Sequence, residues 1–501
     1  MSNPLKKLAG QTAIYGLSSI IARFLNYLLV PLHTSEKVFT PDQYGIITEM
    51  YSYVAFLIIL LTYGMETTFF RFSNQEKNGS INVYKTILVS LCTTSVIFIS
   101  VATLFSQSVA DLLRYPNNNE FVIWFAVIVG LDAISSIPLA RLRANNKPFR
   151  FVLVNIANVG INIGLNLFFL AYCMPMYKSG NTNAVIDFCY NPELGVSYVF
   201  IANLIASVVK FLLLTPEMIT REGKFDRLLL KQMFAFGLPL LVAGLAGMVN
   251  EAIDKIMLKR MLFDELGEKK TMTIIGIYGA CYKISIIITL FIQAFRYAAD
   301  PFFFSQQKEK NAGKIYGMVM NYFVAVCALI FLGVMFFLGI IKNFIPNDAF
   351  WVGLQVVPIL LAANVCLGIY YNLSFWYKLA GKTMYGLYIA IFGAIVTLLL
   401  NYLLISEFTY VGSAWATLIC YASMMLISYF LGQKHYPIPY NVKRITTYIL
   451  LAVALYFVSA KSLTHELLSV LEYGLNTSLL VVFVLVVYIM EKNEFKALRN
   501  A

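Results

Sequence analysis

Hydrophobic residues in this chain come in runs of about twenty, without the strict alternation of a half-buried strand. The runs read at about 11–32, 43–65, 83–105, 120–140, 151–173, 195–215, 233–258, 274–299, 315–341, 353–377, 384–405, 411–431, 445–461 and 473–490. Each is near the length an α-helix needs to cross a hydrocarbon core at ~1.5 Å per residue. The pattern predicts an all-α polytopic membrane protein of about fourteen transmembrane helices. Short polar connections separate the runs. The longest outside one, about 174–194, has roughly twenty residues, too few for a domain of its own.

Composition agrees with that class. Of 501 residues, 59% are hydrophobic and 13% charged, which leaves too little polar surface for a soluble globule. The net charge of +12 is held in the connections and reports orientation, with no nucleic-acid partner implied. With the N-terminus inside, roughly 24 Lys and Arg fall on the cytoplasmic side, roughly 10 outside and about four within spans, so both termini are predicted to be cytoplasmic. The stretch KRMLFDELGEKK at 259–270 is the outside exception. Lys6 and Lys7 precede a first run with no small-residue cleavage site, which predicts an uncleaved anchor.

Little in the sequence points to covalent chemistry. The seven cysteines show no C-x-x-C spacing, and His33, His435 and His465 sit at span ends or in loops without a second histidine at helical spacing. Ala380-Gly381-Lys382-Thr383 looks like the tail of a phosphate-binding loop, but Trp376 stands where the first glycine belongs. No metal or cofactor is expected. Transport by such a chain would draw on a proton or sodium gradient, on the membrane potential, or on the substrate itself.

An internal repeat organises the runs. Tyr15-Gly16 in the first aligns with Phe236-Gly237 in the seventh, and Asn166 aligns with Asn401, each followed by a turn glycine, Gly195 or Gly412. Units of six helices enter the membrane the same way round, which predicts two lobes related by a pseudo-two-fold axis along the membrane normal. The expected division is an N-lobe at 1–215, a cytoplasmic linker at 216–232, a C-lobe at 233–431, and two extra helices with a cytoplasmic tail at 432–501.

Charges inside the runs are the candidates for function. A cation at the bilayer centre costs about 2.5–3.5 kcal/mol on insertion scales, so it faces a cavity or a partner. Arg23 lies about 18 Å into the first run and Lys283 about 14 Å into the eighth, both near the midplane. Arg296 follows Lys283 by thirteen residues, or about 220° of helix rotation, so one straight helix points the two apart. Arg296 can instead pair with Asp300 at i, i+4 or contact a headgroup at the inner surface. Glu49 and Asp132 are read either as charge partners of these cations or as carboxylates that couple transport to H⁺ or Na⁺. Asp254 and Glu251 are expected to pair with Lys255 or Lys259. Asn155, Asn158, Asn162 and Asn166 share a helix sector of about 60°. Amides there suit sugar hydroxyls, and they equally suit bonds between helices; for Asn166 the second reading is preferred.

Three stretches carry a family resemblance: GIYGACYKISIIITLFIQAFRYAADPFFFSQ at 276–306, NEAIDKIMLKR at 250–260, and NYLLI with VGSAWAT within 401–417. They resemble the oligosaccharide flippase, or polysaccharide transporter, family of the superfamily that also holds the multidrug antiporters and the peptidoglycan-precursor flippase. The resemblance implies movement of a polyprenyl-diphosphate-linked sugar repeat unit, of O-antigen, capsule or exopolysaccharide, across the bacterial inner membrane. The unit would pass from the cytoplasmic to the periplasmic leaflet by alternating access, without catalysis, through a monomer that works beside glycan-polymerising machinery. Related flippases hold the diphosphate with cations on the first, second and eighth helices. By motif position Arg23 and Lys283 match the first and eighth. The second helix departs, since it carries Glu49 in its span and Arg71 only at its cytoplasmic end. A multidrug or cation antiporter of the same fold, a membrane-embedded glycan polymerase or ligase, and a purely structural membrane subunit are the rival readings.

Overall fold

The computed structural model of the chain describes residues 20–75, 80–219, 222–306, 311–462 and 469–499. Lys6, Lys7, Tyr15, Gly16, His465 and Glu466 lie outside them. The architecture is all-helical. Among the described residues, twelve helices are long and apolar enough to cross a membrane, beside the shorter apolar helix α1, Ile20–His33.

Helix α2, Pro41–Thr62, begins at a capping box in which Thr40 and Gln43 satisfy each other's backbone, with Pro41 at the position where a missing N–H costs nothing. It ends where Tyr63 and Gly64 take left-handed backbone angles, φ 33° and 72°, and the chain re-enters helix at Met65–Gln75. There follow α3 (Ser80–Leu104), α4 (Asn119–Ala144), α5 (Pro148–Asn166) and α6 (Ser197–Met218). A seven-residue π-helical segment, Leu167–Cys173, prolongs α5. Helices α7 (Arg227–Leu266) and α8 (Glu268–Gln306) have 40 and 39 residues. At ~1.5 Å per residue each is about 60 Å long, twice a ~30 Å hydrocarbon core, so both project well past the runs that announce them.

The chain continues through α9 (Ala312–Phe336), α10 (Val357–Leu373), α11 (Met384–His435), α12 (Val442–Ser462) and α13 (Ser469–Arg499). α11 is 52 residues long but breaks at Thr409, φ 51° and ψ −130°. Cys420 Sγ lies 3.4 Å from the carbonyl oxygen of Gly393, 27 residues away, where a straight helix would put about 40 Å between them. The helix therefore folds back on itself. A Cβ on Gly412 would stand 2.3 Å from the Leu404 carbonyl, so only glycine fits inside this reversal.

By packing, the chain forms two compact units, Met1–Gly279 and Ala280–Ala501. The first has a core around Met65, Phe69, Tyr84, Ile87, Ile137 and Met233, all buried. In the second, Phe303, Tyr316, Phe375 and Ile438 form one cluster, and Tyr370, Ile389, Cys420, Tyr421 and Met424 another. Buried polar bonds secure its last two helices. Glu491 accepts from Tyr448 at 2.5 Å and Arg444 at 3.2 Å, and the Asn476 amide donates to Phe336 O on α9 at 2.9 Å. Apolar residues such as Val96, Ile97, Ile395, Leu399 and Leu485 lie exposed on the helix flanks, where lipid is the solvent. All seven cysteines are free thiols; Cys173 is buried and Cys189 exposed.

Candidate functional site

The polar face of the first unit is built by α1 and α5. Asn26, one turn after Arg23 on α1, accepts from the Asn162 amide at 3.3 Å. Further along, His33 Nε2 and Asn166 Oδ1 are 2.8 Å apart, both side chains buried, and the Asn166 amide donates back to Asn162 O at 2.8 Å. Two members of the asparagine sector thus hold α1 against α5, as suits amides in a medium that offers no other partner. Among the described residues, Asn155 bonds the Phe151 carbonyl of its own helix, at 3.0 Å, and Asn158 Oδ1 is enclosed without a hydrogen-bond partner. Arg23 is exposed at the edge of this face.

Glu49 and Asp132 are each neutralised by a lysine, Lys259 and Lys210, of which the sequence reading names only Lys259, as a candidate partner of Asp254 or Glu251. Glu49, fully buried, accepts through Oε2 from Lys259 Nζ at 2.9 Å and from the Tyr115 hydroxyl at 2.5 Å. Lys259 also donates to Leu113 O at 2.8 Å, and its ammonium lies 3.5 Å from the Tyr115 ring centroid. Burial and the Glu49 carboxylate push the Tyr115 phenol well above its ordinary range, which keeps the hydroxyl a donor. Asp132 on α4 meets Lys210 on α6 at 2.6 Å. Next to it, the Asn203 amide donates to Tyr51 Oη at 3.1 Å. Asp254 pairs with its neighbour Lys255 at 2.8 Å and accepts from the Tyr278 hydroxyl at 2.7 Å.

These pairings revise the sequence reading in one respect. Lys259 was grouped with Asp254 and Glu251, and Arg23 and Lys283 with Glu49 and Asp132; the bonds run instead from Glu49 to Lys259 and from Asp132 to Lys210. The signals were present as Lys210 inside an apolar run and as the outside exception at 259–270. The extension of α7 to Leu266 carries Lys259 on continuous helix to Glu49, 210 residues earlier in the chain.

In the second unit, Lys283 is half-buried on α8. Two residues on, Ser285 O accepts from the buried Asn364 amide at 3.0 Å, which ties this level of α8 to α10. Arg296 lies with its guanidinium 4.3 Å over the ring of Tyr371 on α10, a cation–π contact that places it on the helix pair's aromatic side. Asp300, its expected partner, has a side chain outside the described ones. Discrete cavities lie elsewhere among the described residues. One of about 310 Å³ at the ends of α4 and α6 is lined by Arg141, Asn145, Lys147, Glu217 and Glu222. Two apolar ones of about 250 and 290 Å³ adjoin Phe98 and Phe125 in the first unit and Ile369 and Tyr440 in the second. Among the described residues, no group of three His, Cys, Asp or Glu side chains could hold a metal ion.

Comparison with known proteins closes the description. The family described as "Polysaccharide biosynthesis protein" matches residues 8–307. No curated protein matches the sequence. Among solved structures, a lipid II flippase MurJ in an inward closed conformation aligns over 96% of this chain and 99% of its own, with TM-score 0.72 and 12% identity. An inward-facing multidrug resistance MATE family transporter aligns over 87% and 95%, with TM-score 0.61 and 15% identity. A MATE protein in complex with MaD3S covers 88% and 97%, with TM-score 0.59 and 15% identity. At such identities the likeness is one of fold.

Proposed function

The chain belongs to the polysaccharide biosynthesis protein family, and from that premise we propose that it is a flippase for a lipid-linked glycan, without catalysis of its own. The substrate is a polyprenyl-diphosphate-linked oligosaccharide, carried from the cytoplasmic to the periplasmic leaflet of a bacterial inner membrane by alternating access. Family membership together with a fold shared end to end with a lipid II flippase carries the reading.

The finer architecture follows the sequence repeat. Counting the folded-back α11 as two spans and adding α1 brings the twelve long helices to fourteen. Helices one to six and seven to twelve form the lobes, the last two stand outside them, and both termini face the cytoplasm. Arg23 and Lys283 bind the diphosphate, since a delocalised guanidinium and an ammonium near the midplane supply the charge that hydrocarbon cannot. Asn155 and Asn158, less committed to other helices than Asn162, offer donors and acceptors to the sugar. Arg296 is a contact at the inner entrance. The prenyl tail stays in lipid, and a proton or sodium gradient or the membrane potential drives the cycle.

The test is the leaflet distribution of lipid-linked oligosaccharide in cells depleted of this protein while synthesis continues. Complete repeat units should accumulate on the cytoplasmic leaflet and clear when the intact chain returns. Replacing Arg23 and Lys283 together with Ala should lower that clearance at least tenfold at normal expression. Normal passage of single units with loss only of polymer would mark a polymerase or ligase. Unchanged lipid pools with altered sensitivity to cationic drugs would mark an antiporter.

A further inference from the structure

The boundary between compact units falls at Gly279, within α8, and not at the repeat boundary after the sixth span. α7 and the first turns of α8 therefore pack with α1 to α6. The contact is closest at one end. A Cβ on Gly45 of α2 would lie 2.1 Å from the Met272 carbonyl oxygen, one on Gly276 would lie 1.8 Å from the Pro41 carbonyl oxygen, and one on Gly279 would lie 2.5 Å from the Thr48 side chain. Only glycine allows two helix backbones to cross this near.

One turn along α2 from Gly45, on the same face, sits Glu49 with its Lys259 and Tyr115 partners. The Tyr115 hydroxyl also reaches Met272 Sδ at 3.6 Å, so one side chain from the connection after α3 touches α2, α7 and α8 together. Beyond it, Arg114 binds Asp264 through its two terminal guanidinium nitrogens, at 2.8 and 2.9 Å, and stacks over Phe263 at 4.4 Å. Arg114 holds φ 63°, a left-handed conformation unfavourable for a residue with a Cβ. The connection is thus bent to present both residues to α7. Glu49 itself is lopsided: Oε2 takes both donors, while Oε1 is buried with no hydrogen-bond partner among the described residues.

We propose that this cluster is the external gate of the transporter, closed in this structure, with the Glu49 and Lys259 pair as its lock. The proposal rests on the reading of a membrane transporter with its N-terminus inside and with α2 and α7 in different lobes. In that topology the first turns of α2 and α8, the last turns of α7, and Tyr115 all lie toward the outside. Closure buries Glu49 and Lys259 on each other and seats the glycines. Opening must separate α2 from both helices, and it returns the two charges to water. Desolvation makes a charge pair of this kind costly to bury, but once buried it resists partial separation, because one partner alone in the dry seam is unsatisfied. The gate therefore has two positions and no stable halfway one. Half-buried Arg114 and exposed Asp264, at the rim, guide reclosure.

Accessibility tests the gate without any assumption about cargo. Cysteine introduced at Arg23 or Asn158, with the native cysteines replaced, is challenged in spheroplasts by a membrane-impermeant maleimide from outside. With the lock intact labelling is slow; Glu49→Gln, and independently Gly276→Ala, should each speed it at least tenfold. An unchanged rate in both variants, each eluting as a monodisperse protein, overturns the gate. A second measurement leaves the lock intact. Arg114→Cys with Asp264→Cys, joined by a reducible bis-thiosulfonate, should halt outward passage of lipid-linked glycan and block labelling, both restored by reductant. Labelling that continues while the link is in place also overturns it. If the link controls labelling but depletion of the protein leaves glycan lipid in its normal leaflet, the gate stands and the flippase reading falls.

Discussion

Two ion pairs of the first compact unit join the same kinds of group in different surroundings. Glu49 and Lys259 have side chains 0% and 2% exposed, whereas Asp132 and Lys210 have 31% and 10%. The first pair is dry and shared with a tyrosine hydroxyl and a backbone carbonyl. The second is partly exposed on its acidic side. Desolvation makes a dry pair costly to form and costlier to break, so it suits a contact that is either fully made or fully parted. A carboxylate that water can reach can exchange a proton or an ion while its helix stays in place. On this difference we propose locking for Glu49 and ion coupling for Asp132.

Four measurements break or sharpen that difference. Lys259→Met should be the most damaging, lowering stability by about 3–5 kcal/mol, because Glu49 is left charged in the seam with the Tyr115 hydroxyl but no cation. Thermal unfolding in detergent reads it, and the double variant Glu49→Leu with Lys259→Met should be more stable than Lys259→Met alone. Asp132→Asn should cost less, about 1–2 kcal/mol, since the acid is part exposed and Lys210 can turn toward water. Its mark should be functional: the dependence of transport on external pH or sodium should flatten, and equal flattening by Glu49→Gln with no change from Asp132→Asn would reverse the assignment. Asn166→Ala removes the bond to His33 between α5 and α1 and should cost about 0.6–1.7 kcal/mol, the range found for polar contacts between membrane helices. Arg114→Ala should change stability by less than about 1 kcal/mol, because its partner Asp264 is 77% exposed.

Much of the fold was legible because apolar runs of crossing length leave a membrane chain few choices. The runs at 83–105 and 120–140 became Ser80–Leu104 and Asn119–Ala144, while those at 233–258 and 274–299 grew into helices of 40 and 39 residues. Their extra turns carry charges such as Lys259, Asp264, Glu268 and Lys269, so hydropathy alone stops short of them. The runs at 384–405 and 411–431 read as two, and the fold-back at Thr409 shows why: the intervening residues turn without a polar loop. The π-helical Leu167–Cys173 left no mark in hydropathy, since one extra residue per turn does not alter composition.

The site was legible only as an inventory. Composition and spacing named Arg23, Lys283, Glu49, Asp132 and the α5 asparagines, because polar groups in hydrocarbon are conspicuous and must answer to something. Which group answers to which is a matter of long-range packing. Glu49 and Lys259 are 210 residues apart, and His33 and Asn166 are 133 apart. Local pattern determined the class, the spans and the charged candidates, since hydrophobic length and cation placement act within a single helix. Tertiary structure alone decided the partners, because in a medium without water each polar group binds whatever donor or acceptor the neighbouring helices bring within about 3 Å.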